Sequence, residues 1–370
     1  MKLEERKLGE FIESISDTTK VLSEKVILIN TSDVENGKVL NHQYVVNKNL
    51  RGQFKKRFKK DDILYSEIRP KNKRFAYVDF ESDKYIASTK LMVLRNKGNI
   101  DNGFLFQLLK SDKMINYLQM IAESRSGTFP QITFNELSNV SVLIPEMSNQ
   151  KKIAKILEMI DKKIELNNHT NDNLHEIGLL LVENYIDIIN SKIELNKIIK
   201  FIKGKKPYDI TSEHVDNYEK YLTIACLNGQ ELNYADSNKM IIADNDLLMV
   251  MDGASSGDVY YSNYGIVGST LAKIEIINDN YNKTYIYFII KKYNDLIKSK
   301  NTGSAIPHTD KVFVGNLVIP EIDLKEQIKF EILLDKIQQN QKENETLIKL
   351  RDTLLPKLMN GEIDLDKIEI

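Results

Sequence analysis

The chain has 370 residues, 42% apolar and 28% charged, too long for one ordinary core and too well mixed for a disordered polymer, so about two to three folded domains are expected. Its 52 Lys and Arg are balanced by 53 Asp and Glu, a net charge of −1, which excludes a chain coated with positive charge and confines any nucleic-acid surface to a local patch. No run reaches the roughly 18 uncharged apolar residues of a membrane span, the opening Met1-Lys2-Leu3-Glu4-Glu5-Arg6-Lys7 lacks the apolar stretch of a signal peptide, and the single Cys226 permits no internal disulfide. A cytoplasmic chain with no membrane partner is expected, with Cys226 a small apolar filler.

In chain order, residues 1–147 carry β-rich runs at 26–29, 75–80 and 91–94, punctuated by Gly, Asn and Asp. Residues 148–190 have helical periodicity behind Ser148, a candidate N-cap. Residues 191–322 return to a β-rich pattern, including the run 285–290. Residues 323–370 open with Asp323 and Glu326, which fit a capping box, and again read as a long helix.

The order globular-helix-globular-helix is a duplication. Leu143-Ile144-Pro145-Glu146 recurs as Val318-Ile319-Pro320-Glu321, each followed by a glutamine, Gln150 and Gln327, and a long helical segment. Ser126-Gly127-Thr128-Phe129-Pro130-Gln131 matches Thr302-Gly303-Ser304-Ala305-Ile306-Pro307-His308 with one insertion. Asp61-Asp62-Ile63-Leu64 matches Asn245-Asp246-Leu247-Leu248, and Ser88-Thr89 matches Ser269-Thr270. The opening Lys7-Leu8-Gly9-Glu10-Phe11-Ile12 matches Glu194-Leu195-Asn196-Lys197-Ile198-Ile199. Order is kept at spacings of 175 to 187 residues.

Within the helical segments, Ile153, Leu157, Ile160, Ile164, Asn167, Asn171, Leu174, Gly178, Leu181, Tyr185 and Ile188 step by four and three. Phe330, Leu333, Ile337, Asn340, Asn344, Leu347, Arg351, Leu354 and Leu358 superpose on the stretch from Leu157 at a constant offset of 173. Such a heptad stripe seeks a partner helix, and the economical partner is the other stripe. Buried Asn wants a hydrogen-bonding partner, which predicts an antiparallel pair with Asn167 against Asn344 and Asn171 against Asn340. Ile164 then meets Leu347, Leu157 meets Leu354 and Leu174 meets Ile337. The run 167–173 is poor in helix formers and also compatible with a loop; if it is helical, the segment 150–190 is roughly 60 Å long. Pro356 should kink or end the second helix. The fold expected is α+β: two mixed α/β domains in pseudo-twofold tandem repeat, separated by two long helices in an antiparallel coiled coil.

Between Lys48 and Arg74 stand eleven Lys and Arg, among them Lys55, Lys56, Arg57, Arg69, Lys71, Lys73 and Arg74, against three acids, with Phe54, Phe58, Tyr65 and Phe75 interleaved. That density suits a phosphate track, although a solvated surface has the same composition. In the second half the counterpart is Lys203, Lys205 and Lys206 around Gly204, whose missing side chain permits close backbone approach. Base edges are read by Arg, Asn, Gln, Ser or Thr, which nominates Arg69, Arg74, Ser255, Ser256 and His308; turn roles explain these nearly as well.

The residues Ile144-Pro145-Glu146 through Gln150-Lys151-Lys152-Ile153-Ala154, and Leu350-Arg351-Asp352-Thr353-Leu354-Leu355-Pro356-Lys357-Leu358-Met359-Asn360-Gly361-Glu362-Ile363, resemble the two helical regions of the DNA specificity subunits of type I restriction-modification systems. The turns at Gly127 and Gly303, and Asp252-Gly253-Ala254-Ser255-Ser256-Gly257, resemble that family's recognition domains. The first copy departs from it, with Glu67-Ile68-Arg69-Pro70 in place of the Asp252-Gly253 turn. The resemblance implies two target recognition domains that each read half of a bipartite duplex DNA sequence. It also implies helices that space them and dock two methyltransferase subunits, with restriction or translocase subunits as further partners. Lys151, Lys152, Lys155 and Lys162 are candidates for that docking.

Catalytic signatures are missing from the sequence: no Asn/Asp-Pro-Pro-aromatic motif of an adenine methyltransferase and no Gly-x-x-x-x-Gly-Lys-Ser/Thr loop. His169 and His175 fall on different helix faces, so no zinc is expected, and Asp61-Asp62 reads as a turn cap. The chain is expected to be non-catalytic, to hold no metal or cofactor, and to leave S-adenosylmethionine to a partner methyltransferase. A coiled-coil scaffold whose globular ends bind something other than DNA is the alternative.

Overall fold

The computed structural model describes residues 3–125, 128–303, 305–363 and 365; Ser126, Gly127 and Ser304 of the turn motifs lie outside the described residues. The chain divides into two compact α+β units, Met1–Glu165 with Glu343–Ile370, and Leu166–Lys342.

In the first unit, Leu3–Lys7 pairs antiparallel with Ser141–Pro145, closing the globular part where the first long helix begins. One antiparallel sheet has the order Ile12–Ile15, Leu91–Asn96, Ile63–Ser66, Phe75–Tyr77. A second has the order Tyr44–Val46, Lys25–Ile29, Tyr85–Ser88, Phe54–Lys56, its middle pair parallel. Successive strand residues point to opposite faces. Ile63, Tyr65, Met92 and Leu94 therefore enter one core with the helices Asn102–Lys110 and Asp112–Arg125, while Leu64, Leu91 and Val93 enter another beneath the second sheet. A strand serving two cores is buried along its whole length, as Ile63–Ser66 is.

The second unit repeats this plan. Lys192–Glu194 pairs with Val318–Pro320, and one sheet has the order Ile199–Lys203, Leu271–Ile276, Leu247–Val250, Val259–Tyr261. The other again contains a parallel pair, Tyr218–Leu222 with Gly265–Val267. Leu247, Met249, Ala272 and Ile274 face the helices; Leu248, Val250 and Leu271 face the other way. Ile63 pairs with Leu94 and Tyr77, and Leu247 pairs with Ile274 and Tyr261, which fixes the match of 61–64 to 245–248. Asp61 and Asn245 even share a left-handed backbone, φ 71° and 50°. Asp62 caps Lys59 and takes a bidentate pair from Arg95 at 2.8 and 2.7 Å, as a turn cap should.

Three expectations need correction. The match of Ser88-Thr89 to Ser269-Thr270 is one residue out of register. Leu91 faces Ser66 and Leu271 faces Val250, so Lys90 corresponds to Thr270, and their carbonyls accept from the amides of Glu67 and Met251. Two shared residues in a turn say nothing about pairing. The run 285–290 is helix rather than strand, within Lys283–Lys292, and is buried from Thr284 to Ile290; with no polar face it shows no helical period. Ser148 is not the N-cap, because the helix starts at Met147 and the Ser148 hydroxyl donates to Glu146.

The first long helix, Met147–Ile188, runs unbroken through the asparagine-rich stretch. The second, Leu324–Met359, keeps Pro356 in its last turn. Asp323 accepts from the Glu326 amide at 2.8 Å, but the Glu326 carboxylate turns away from the cap to Tyr185 and Lys329. Gln150 and Gln327 do identical work. Each side-chain oxygen accepts from the N-cap residue of a globular helix, Asp101 at 2.8 Å and Asn282 at 2.7 Å, while the amide donates to the carbonyls of Pro145 and Ile322.

Within each unit the helical segments are antiparallel. In the first, Lys152 reaches the Leu365 carbonyl, Asp161 meets Arg351 and Lys163 meets Glu343. In the second, Asn171 meets Asn340 and Tyr185 meets Glu326. Leu157, Ile160, Asn167, Asn171, Ile337, Asn340 and Asn344 are buried, and Ile164, Leu174, Leu333, Leu347 and Leu354 half-buried. Two stripe positions serve otherwise: Gly178 receives the Phe288 ring, where a side chain has no room, and Ile188 is exposed.

Candidate nucleic-acid interface

In the second unit the turn after Leu247–Val250 docks against the turn before Lys311–Gly315. Asp252 and His308 form a bridge, and the Gly253 amide donates to the Pro307 carbonyl at 3.0 Å. Gly253 and Gly257 have φ 106° and 98°, a left-handed backbone that glycine adopts without cost. His308 Nδ1 lies 2.7 Å from Asp252 Oδ1, and Lys203 Nζ lies 3.1 Å from Oδ2. Burial works to raise the Asp252 pKa, but hydrogen bonds from His308 and Lys203 outweigh it and hold the carboxyl below its ordinary range. Ser256 is wholly buried, its hydroxyl donating to the carbonyls of Gly253 and Pro307; it shapes the turn, while Ser255 is half-buried on it.

The first unit builds the same pair of turns from different residues. Ile68 and Gln131 form the bridge, and the Arg69 amide donates to the Pro130 carbonyl at 3.0 Å. Arg69 and Lys73 take φ 44° and 52° at the places of Gly253 and Gly257. The apparent departure of Glu67-Ile68-Arg69-Pro70 is therefore a change of residues on a retained backbone, held by the strand pairing on either side and by Pro70, whose fixed φ opens the short turn Pro70–Asn72. Arg69, Lys71, Lys73 and Arg74 thus stand on one turn. Lys73 pairs with Asp112 at 3.0 Å and Arg74 with Glu35 at 3.4 Å, while Lys71 is exposed with no ion-pair partner among the described residues.

The rest of the basic run is divided. Lys56 is half-buried, donates to the Leu91 carbonyl at 2.8 Å and has its pKa lowered by burial, so it holds the fold. Arg57 donates to the Asp83 carbonyl. Lys55 is exposed, and with Lys20, Lys48 and Arg57 it lines a cleft of about 570 Å³. In the second unit Gly204 is pressed against the backbone of Val267 and Gly268; its close approach is to the protein itself. Lys205 and Lys206 are exposed with no ion-pair partner among the described residues.

The type I restriction modification DNA specificity domain matches residues 2–176. Over 91% of its length the chain is 30% identical to the HindI type I restriction enzyme specificity subunit of Haemophilus influenzae, covering 94% of that protein. The chain belongs to the type I restriction-modification specificity subunits. The MjaVIII specificity subunit of Methanocaldococcus jannaschii is 30% identical over 45% of this chain and 41% of its own. The solved S subunit from M. genitalium shares the fold, with TM-score 0.58 at 17% identity, over 97% of this chain and 96% of that one.

For a specificity subunit, the doubled pair of turns is the feature of most interest, and sequence reasoning reached only part of it. Gln131 and Lys90 were not nominated, yet Gln131 stands where His308 stands and its Oε1 accepts from Lys90 at 3.3 Å. The repeat alignment already set Gln131 against His308, and that signal could have found it. Among the described residues no three His, Cys, Asp or Glu group as a metal would need, and no helix is long and apolar enough to cross a membrane. His175 lies against Tyr287 and Phe288, its pKa lowered by burial and by Lys291. Cys226 is half-buried, and burial raises its thiol pKa.

Proposed function

We propose that this specificity subunit reads a split duplex DNA sequence, one half per unit, and brings that sequence to separate methyltransferase subunits. The observation that carries the reading is the duplicated pair of turns, 67–74 with 128–131 and 251–258 with 302–308. One backbone frame recurs with different side chains, Arg69 and Gln131 in one copy, Gly253 and His308 in the other. A retained frame with altered side chains suits two readers of different half-sites. The exposed cations of the two units, Lys55, Lys71, Lys205 and Lys206, suit the phosphate contacts that fix register without reading sequence.

The long helices supply the second part of the proposal. Met159 and Ile332 are exposed, as are Ile177 and Leu350, each pair separated by the same 173 residues as the seam. Exposed apolar residues duplicated at that interval support two equivalent docking faces, one for each of two methyltransferase subunits. Of the lysines nominated for docking, Lys152 instead donates to the Leu365 carbonyl and Lys162 pairs with Glu158; Lys151 and Lys155 are exposed. In this proposal the chain is non-catalytic and acts in the cytoplasm. Methyl transfer from S-adenosylmethionine belongs to the partners, and restriction or translocase subunits join the same assembly.

Methylation mapping in cells that express the chain with its genomic neighbours tests the reading. One split motif, modified once on each strand, is expected; a continuous motif or none contradicts it.

A further inference from the structure

Resting on the DNA-reading role, we propose that the two units present opposite hydrogen-bond polarity at equivalent positions: His308 offers an acceptor to its half-site, and Gln131 offers donors to the other.

Each polarity is set by what holds the far end of the side chain. A carboxylate only accepts, so the Asp252 oxygen 2.7 Å from His308 Nδ1 places the proton of the neutral ring on Nδ1 and leaves the lone pair on Nε2. Lys203 at the second carboxylate oxygen, 3.1 Å away, keeps that carboxylate charged and in place. Gly303 lies against the ring edge, where a Cβ would stand 2.9 Å from His308 Cδ2, so the ring has a fixed seat. His308 is half exposed, and its Nε2 has no hydrogen-bond partner among the described residues. In the first unit the Gln131 Oε1 is taken by Lys90 at 3.3 Å, and Lys90 is itself 3.7 Å from Glu67. That leaves the two N–H groups of half-buried Gln131 with no partner among the described residues.

In the major groove an acceptor recognises the exocyclic amino group of cytosine or adenine, and a donor recognises guanine O6 or N7, thymine O4 or adenine N7, with guanine alone offering two acceptors to a pair of donors. The half-site of the second unit is therefore expected to carry C or A at the position under His308. The half-site of the first is expected to carry G, the base with two acceptors, under Gln131. Neither Asp252 nor Lys90 reads a base here; they are positioning residues that decide which atom of the reader faces the groove.

The test is methylation mapping with the full chain and its methyltransferase neighbours, comparing wild type with three variants. His308→Ala removes the reader and leaves the Lys203–Asp252 pair. It should lower discrimination about tenfold at one position of one half-site, the size of a lost base-edge hydrogen bond, with the other half unchanged. Asp252→Asn lets the side-chain amide donate to Nδ1, moves the ring proton to Nε2, and should turn the preference at that same position away from C and toward bases that present an acceptor, G above all. Lys90→Met frees Gln131 Oε1 and should shift the preference in the other half from G toward adenine, which Gln131 can then read with a donor and an acceptor together. A motif unchanged in His308→Ala overturns the inference, and so does an Asp252→Asn shift at a different position. If Asp252→Asn fails to accumulate as folded chain, the His308→Ala motif decides alone. A wild-type chain that yields no split motif overturns the DNA-reading role itself, and this inference with it.

Discussion

The side-chain amide of Asn340 donates to the side-chain oxygen of Asn171 at 2.8 Å, with both residues buried between the helices of the second unit. A buried polar group without a partner costs about 1–3 kcal/mol, whereas removing both partners together is close to neutral. Asn340→Leu should therefore lower the stability of the chain by about that amount. Asn171→Leu with Asn340→Leu should recover most of it while loosening the choice of register. Denaturant melts of the two variants check this; a single variant as stable as wild type contradicts it.

Asp161 in the first unit gathers Lys110, Gln107 at 2.9 Å and Arg351 at 3.2 Å. By the repeat these positions correspond in the second unit to Leu334, Lys291, Phe288 and Gly178, where Phe288 packs into the space left by Gly178. The same joint between globular part and helices is ionic in one copy and apolar in the other. Burial works to raise the Asp161 pKa, but the Lys110 charge and the hydrogen bonds from Lys110, Gln107 and Arg351 outweigh it and lower it. A lowered folded-state pKa gives stability that is present above the unfolded value near 4 and lost as pH falls through the folded value. Asp161→Asn should then be about 1–2 kcal/mol less stable than wild type at neutral pH, and the gap should close in acid. Gly178→Ala should cost about 1–3 kcal/mol by overpacking with no such pH dependence. Melts of both variants at pH 7 and at successively lower pH from about 4 downward separate the two joints, the Asp161→Asn gap narrowing over that range and the Gly178→Ala gap not.

The exposed lysines and the half-buried Lys56 should part company in a salt titration. Lys55→Ala and Lys71→Ala should weaken duplex binding uniformly across sequences, each reducing the slope of log affinity against log salt by about one. Lys56→Ala should instead lower thermal stability, since its ammonium serves the Leu91 carbonyl. A salt slope unchanged in both Lys55→Ala and Lys71→Ala would contradict phosphate contacts by these lysines.

The duplication and the helix pairing were legible because both rest on periodicity. Asn171 and Asn340 could be set opposite each other from the offset of the stripes alone, and Gln150 and Gln327 announced their shared role by position. The run 285–290 was not legible, because a stretch buried on every side has neither helical nor strand period. The turn at Arg69 was also hidden: glycine announces a left-handed backbone at Gly253, but arginine does not, and only strand pairing forces it there. Lys56 looked like its neighbours in a basic run, and only burial distinguishes it. Gln131 was legible by its place opposite His308 in the repeat, but the Lys90 side chain that holds it was not.

Exchanging residues 1–147 for those of another family member should change one half of the recognised sequence and leave the other intact, as read by methylation mapping. A change in both halves would contradict independent reading by the two units.

The most direct test is the length of the gap between half-sites after insertion of four residues into the first long helix, Met147–Ile188. If the helices set the distance between two separately read sequences, the modified motif should keep both half-sites and change its spacer. A motif with the original spacer, from a variant that folds and still directs methylation, would contradict it.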